Sequence, residues 1–408
     1  MSEVADFGVV VLAVSATIFV ALFGMRLGDR LSIPYAGLFL VGAALVAELV
    51  PSVGNALSIR DVERIVVLAL VVILFDGGLH IGLGRFRGSV GPILALGVVG
   101  TFATAGLVAL AAHYVLGFDW IEAGLVGAAI APTDPAVTFS LFGAREIRGR
   151  AGTILEGEAG MNDPVGIALM IGMIELAGES HGSFWIVVSE FLQEMGIGLA
   201  VGVGGALVLL PVMRSVRLTS PALQPIRVLA GAGIVYGLAA ILGGSGFLAV
   251  FVAGVLLGDA PAPRKEEVED FLASLTGLAE IGAFVALGLS VGVADLGDLG
   301  VWGDGLVLAL VLALVARPIA VLPLLARADL RRRERLFIVW GGLKGAVPIL
   351  LGTLAILAAV DGAERLYGIV VVVVLFSVLV QGTSVPFAAR TLGIPFRRVH
   401  GPDPTATP

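Results

Sequence analysis

The sequence predicts an all-α polytopic membrane protein of about thirteen transmembrane helices, arranged as two inverted six-helix repeats with two interrupted, crossing helices, spans five and twelve. Three observations carry this. Of 408 residues, 58% are hydrophobic and 14% charged, and the mean hydropathy of +1.04 exceeds what a water-soluble domain can bury. Apolar stretches long enough for a membrane helix follow one another nearly end to end. Proline and glycine interrupt two of those stretches in mid-span, seven spans apart. The chain has no cysteine, which excludes a disulfide framework and thiolate metal sites. A formal net charge of -7 argues against nucleic acid as a partner.

The spans fall at 7–25, 32–50, 64–83, 90–116, 121–143, 152–177, 184–212, 225–242, 245–258, 271–293, 305–326, 336–359 and 366–389. The first lacks a basic start and reads as a span, not a cleaved leader. The turns test the count. Of the 25 basic residues, twenty fall in alternate turns, from Arg26 and Arg30 to Arg397 and Arg398. Three (Arg60, Arg64, Arg365) fall in the others, and two lie within spans. Because cytoplasmic turns hold the Lys and Arg excess, the N-terminus is expected outside and the C-terminus inside the plasma (inner) membrane.

Five ionisable groups lie within spans at one depth. Asp134, Asp163, Arg317 and Lys344 are each roughly 14–20 Å from the inner surface at about 1.5 Å per residue, and Glu158 lies a little nearer the cytoplasm than Asp163. Buried charge in a bilayer is expensive and marks an ion or proton path by default. Three acids against two bases leave one acid over. The backbone agrees. Span five reads Ala131-Pro132-Thr133-Asp134-Pro135 and span twelve Gly341-Gly342-Leu343-Lys344-Gly345-Ala346-Val347-Pro348; broken backbone at this depth must be buried in protein or line a cavity. Asp134 in one break and Lys344 in the other are placed to offset exposed half-helix dipoles. In span six Glu158 and Asn162 share a face, with Asp163 one step round. Oxygen donors there, with Thr133 offering a carbonyl or a hydroxyl, suit a hard monovalent cation.

These pieces resemble the monovalent cation/proton antiporters, in the branch that includes NhaP-type transporters and the mammalian sodium/proton exchangers. The matching runs are Thr133-Asp134-Pro135, Glu158-x-x-x-Asn162-Asp163, Arg317-Pro318, Gly342-Leu343-Lys344-Gly345-Ala346 and Leu74-Phe75-Asp76-Gly77-Gly78-Leu79. The resemblance covers essentially the whole chain. It implies a core transport bundle in two halves, 87–180 (spans four to six) and 301–392 (spans eleven to thirteen). The core would move against a scaffold and dimerisation unit, 1–86 (spans one to three) and 181–300 (spans seven to ten), and 393–408 is a short cytoplasmic tail. It implies a homodimer in the lipid bilayer, no enzyme activity, no cofactor, and no nucleotide or nucleic acid. By position, Asp163 is the carboxylate that binds proton or cation in turn, Asn162 is its neutral neighbour, and Glu158 pairs with the basic residue of span twelve, here Lys344. Asp163, Glu158 and Thr133 are the candidate cation ligands. Ala159 stands where many sodium-selective members carry Ser, and Phe75-Asp76-Gly77-Gly78 resembles the branch tied to cell-volume regulation and potassium/proton exchange. The implied activity is exchange of Na+, K+ or Li+ for H+, serving pH homeostasis. With Asn162 in place of a second acid, that exchange is expected to be electroneutral.

Other classes fit less well. Gly243-Gly244-Ser245-Gly246 matches a nucleophile loop, but downstream of Ser245 the only histidine is His400, so an intramembrane serine protease lacks a base. No Gly-x-x-x-x-Gly-Lys-Ser/Thr loop is present for an ATP-driven pump. A channel shares the same polar cavity and differs by conducting. Glu48, Asp76, His80 and Glu280 receive no role from the sequence, and the many glycines read as helix contacts.

Overall fold

The computed structural model of the chain describes residues 8, 12, 15–24, 34–54, 56–134, 137–138, 145–147, 149–178, 184–215, 218–261 and 264–398. All thirteen segments contain helix in their described parts. Seven helices among these residues are long and apolar enough to cross a membrane. Span six is helical over Arg150–Gly178 but carries acids through its middle, while Tyr35–Leu49, Trp120–Ile130 and Gly246–Gly258 are shorter apolar helices. The protein is an integral membrane protein.

Local chemistry sets the boundaries. Span three starts at a capping box, in which Ser58 and Asp61 satisfy each other's backbone N–H. Spans three and four run as one long helix from Ile59 with a kink at Gly82 (φ 66°), four residues before the expected division at 86/87. Span five begins where the Asp119 carboxylate accepts from the N–H groups of Ile121 and Glu122, at 2.7 and 2.9 Å. The hydroxyl of Ser245, weighed above as a nucleophile, caps span nine by accepting from Leu248 N–H at 3.2 Å.

The two halves repeat each other's irregularities. A π turn at Ala95–Gly100 in span four has a counterpart at Leu312–Ala316 in span eleven. Span five breaks after Ile130 and span twelve after Gly341. Each pair is roughly 215 residues apart, and an odd number of crossings between partners makes the repeat inverted. Span thirteen carries a further π turn, Ser377–Gly382, whereas span six stays helical through Pro164.

Span twelve is almost wholly buried while span seven leaves most of its surface open. Tyr114, Trp120, Phe184, Trp185 and Trp302 are exposed at the ends of spans four, five, seven and eleven, the placement of an interfacial aromatic belt. One feature escaped the sequence. Arg145–Ile147 pairs antiparallel with Phe396–Arg398, Ile147 opposite Phe396. Three-residue strands this far apart are too short to show an alternating pattern.

Candidate functional site

Two broken helices must satisfy the backbone groups that the breaks release. Helix Arg332–Gly341 ends inside the protein, and each of its last four carbonyls has a donor. Arg317 supplies two, Nη2 to Ile338 O at 3.2 Å and Nε to Val339 O at 2.9 Å. Gln381 Nε2 donates to Trp340 O at 2.8 Å, and Thr138 Oγ1 donates to Gly341 O at 2.6 Å. Helix Trp120–Ile130 ends likewise, and Lys344 Nζ donates to Ala131 O at 2.6 Å and Pro132 O at 2.8 Å. Each break is thus closed at its negative end by a cation carried on another element.

The positive ends share one acid. Asp134 Oδ2 accepts from Ala346 N–H, at the start of helix Ala346–Leu357, at 3.3 Å. Its Oδ1 accepts from Val137 N–H in span five at 3.4 Å. The backbones also meet directly, Asp134 N–H donating to Leu343 O at 2.8 Å, while Lys344 N–H donates to Ser377 Oγ at 2.8 Å. The interrupted helices therefore cross at their breaks, as expected, and Asp134 and Lys344 offset the half-helix dipoles as expected. The glycines of the span-twelve break make room for this. A Cβ on Gly342 would stand 2.0 Å from the Arg317 guanidinium carbon, and one on Gly345 would stand 2.0 Å from Asp134 Oδ2.

Glu158 has a different partner from the one the resemblance implies. Its ion pair is with Arg317, not Lys344: Nη1 to Oε1 is 2.9 Å and Nη2 to Oε2 is 3.2 Å. The side chains are 3% and 2% exposed. Arg317 reaches Glu158 because its planar fork bonds the carboxylate and the helix end at once, whereas Lys344 spends its ammonium on the span-five carbonyls. Both carboxylate oxygens of Glu158 are thus engaged by Arg317.

The surplus acid is then identified. Glu158 is matched by Arg317, and Asp134 with Lys344 serves the breaks. Asp163 remains. Its Oδ1 is buried with no hydrogen-bond partner, and so is Asn162 Oδ1. Asn162 is fixed from its other end, Nδ2 donating to Thr133 Oγ1 at 2.7 Å, which assigns the amide orientation. Two acceptor oxygens on adjacent residues, in a buried setting with no hydrogen-bond donor, are the kind of groups a proton or a desolvated cation binds.

The remaining residues fall apart from this centre. Glu280 accepts from the Tyr35 hydroxyl, Asp76 accepts from Thr276 Oγ1 at 3.0 Å, and Glu48 lies at the N–H of Ala294. His113 is stacked on Trp120, with Nδ1 2.7 Å from Phe118 O. Pro135, His181 and His400 lie outside the described residues. Sequence reasoning missed Thr138, Ser377 and Gln381. Their signal was present only as small polar residues in apolar spans, too common in membrane helices to single out.

A family profile described as sodium/hydrogen exchanger, transmembrane, matches residues 15–391. The chain is 36% identical over 368 residues to a K(+)/H(+) antiporter NhaP2 of Shewanella sp. (strain MR-4), covering 89% of this chain and 63% of the relative. It is 36% identical over 340 residues to a K(+)/H(+) antiporter NhaP of Alkalimonas amylolytica, covering 83% and 59%. Identity to the Na(+)/H(+) antiporter ApNhaP of Aphanothece halophytica is 27% over 348 residues, covering 81% and 65%. The chain thus spans a little under two thirds of the length of these relatives. Its fold is similar to that of the sodium proton antiporter MjNhaP1 from Methanocaldococcus jannaschii, with a TM-score of 0.76 at 22% identity over 91% of this chain and 99% of that one.

Proposed function

The chain belongs to the sodium/hydrogen exchanger family, and on that premise we propose that it is a secondary transporter exchanging a monovalent cation for a proton, Asp163 holding each in turn. The observation that carries this is the surplus carboxylate: Asp163 Oδ1 and, on the preceding residue, Asn162 Oδ1 are both buried without a hydrogen-bond partner. An ionised, empty Asp163 in mid-membrane is expensive to move, so each crossing takes either a proton or a cation, and exchange follows from competition for one site. Asn162 contributes its carbonyl oxygen as a ligand and Thr133 holds the amide in place. Arg317, Glu158, Asp134 and Lys344 position the site without binding the ion. Because Asn162 carries no charge, one cation replaces one proton and no net charge moves.

Potassium is the favoured cation. Two K(+)/H(+) antiporters stand at 36% identity and the Na(+)/H(+) antiporter at 27%, and Ala159 offers no hydroxyl beside Glu158. The core, spans four to six and eleven to thirteen, moves against the scaffold of spans one to three and seven to ten, in a homodimer of the plasma membrane with its N-terminus outside and C-terminus cytoplasmic.

The test is exchange in proteoliposomes carrying a proton gradient, with K+, Na+ or Li+ added in turn. Expected are saturable, reversible proton movement that is insensitive to an imposed membrane potential, and its loss in Asp163→Asn with the folded protein retained. Exchange surviving in Asp163→Asn removes Asp163 from its role; single-channel current replaces the exchanger by a channel.

A further inference from the structure

Arg150 and Arg365 occupy matching places in the two halves. Each stands at the start of the third core span of its half, Arg150 at the head of Arg150–Gly178 and Arg365 in the first turn of Ala363–Phe376. They are roughly 215 residues apart, the repeat spacing. Each bonds to the start of the first span of its own half. Arg150 Nη2 donates to Gly88 O at 2.6 Å, and Arg365 Nη2 donates to Asp304 Oδ2 at 2.8 Å. Each also reaches across to the other half, to the turn between its first and second core spans. Arg150 Nη1 is 4.0 Å from Asp329, between spans eleven and twelve. The Arg365 guanidinium lies 4.5 Å over the ring of Phe118, between spans four and five. Since the repeat is inverted, one arginine works at each face of the membrane.

We infer that Arg150 and Arg365 are a matched pair of clips that tie the two halves of the core together at opposite membrane faces and stay closed throughout the transport cycle. Rigidity is what the site demands. Asp134 and Lys344 each serve a helix end of the other interrupted span, so a slip between the halves would pull Lys344 from the carbonyls of Ala131 and Pro132 and shift the charges around Asp163. A guanidinium suits the task because it bonds a carbonyl or carboxylate with its edge and stacks on a ring with its face. Neither arginine touches the ion, so both are positioning residues. The inference rests on the core and scaffold reading above.

The chain has no cysteine, so paired cysteines can be placed without background. In proteoliposomes, Arg150→Cys with Asp329→Cys, and separately Phe118→Cys with Arg365→Cys, are bridged by a short homobifunctional thiol reagent that a reductant cleaves. Expected is exchange that continues after bridging at the rate of the same unbridged variant. Loss on bridging, restored by reductant, overturns the inference, since the halves must then part at that face. A core-to-scaffold pair calibrates the assay. Gly37→Cys with Val378→Cys joins span two to span thirteen where the Gly37 Cβ position lies 2.4 Å from Val378, and bridging it is expected to stop exchange. In addition, Arg150→Ala with Arg365→Ala is expected to lower the maximal rate about three- to tenfold with apparent cation affinity unchanged, with lysine at both sites restoring part of it. An unchanged rate, or a change confined to affinity, also overturns the clips. Absence of exchange in the unmodified protein would instead defeat the transport reading itself.

Discussion

The breaks in spans five and twelve solve one problem with different means. Both halt a helix in mid-span and leave carbonyls that the helix itself no longer satisfies. Span five hands its released carbonyls at Ala131 and Pro132 to a single ammonium, Lys344. Span twelve distributes four carbonyls over three side chains, and the guanidinium among them is also bound to Glu158. A break held by one flexible point charge and a break held by a planar fork in a buried pair differ in rigidity. Span twelve is accordingly expected to be the stiffer wall of the candidate site and span five the more adaptable one. That matters because Thr133, which bonds the amide of Asn162, sits in the span-five break.

Substitutions can break or sharpen this contrast. The largest effect is expected for Arg317→Met, which strands the buried Glu158 carboxylate and two carbonyls. Removing one partner of such a pair costs about 3–5 kcal/mol, and the double change with Glu158→Gln should recover part of it in thermal unfolding in detergent. Lys344→Met follows, at about 2–3 kcal/mol for two lost charge-assisted hydrogen bonds, with Lys344→Arg restoring stability. If Lys344→Met proves the more damaging, span five and not span twelve is the more firmly held. Gly345→Ala places a methyl against Asp134 and is expected to destabilise by about 1–3 kcal/mol through overpacking, with a larger loss in exchange rate than in stability. Ser377→Ala removes the acceptor for Lys344 N–H and should lower stability by about 1 kcal/mol, read as a small drop in the same melt.

Much of the molecule was legible in advance because a bilayer leaves few options. Each span must be about 20 apolar residues, and any charge within it stands out against that background. Asp134, Glu158, Asp163, Arg317 and Lys344 were visible for this reason, and Pro132 with Gly341-Gly342 marked the two breaks. The surplus of one acid was countable, but which acid was not. Arg317 and Lys344 lie at similar depth, so depth alone pairs either with Glu158. The strand pair Arg145–Ile147 with Phe396–Arg398 and the partnership of Glu280 with Tyr35 left no trace in local pattern, because each joins segments far apart in the chain.

Sequence alone determined that the chain crosses the membrane repeatedly and that five charges must find company within its spans, since hydropathy and proline act through neighbours in the chain. Only the tertiary structure decided who pairs with whom. A guanidinium can close a helix end and a carboxylate together while an ammonium here closes a helix end alone, and that difference, fixed by where the helices cross, is what leaves Asp163 Oδ1 buried without a hydrogen-bond partner.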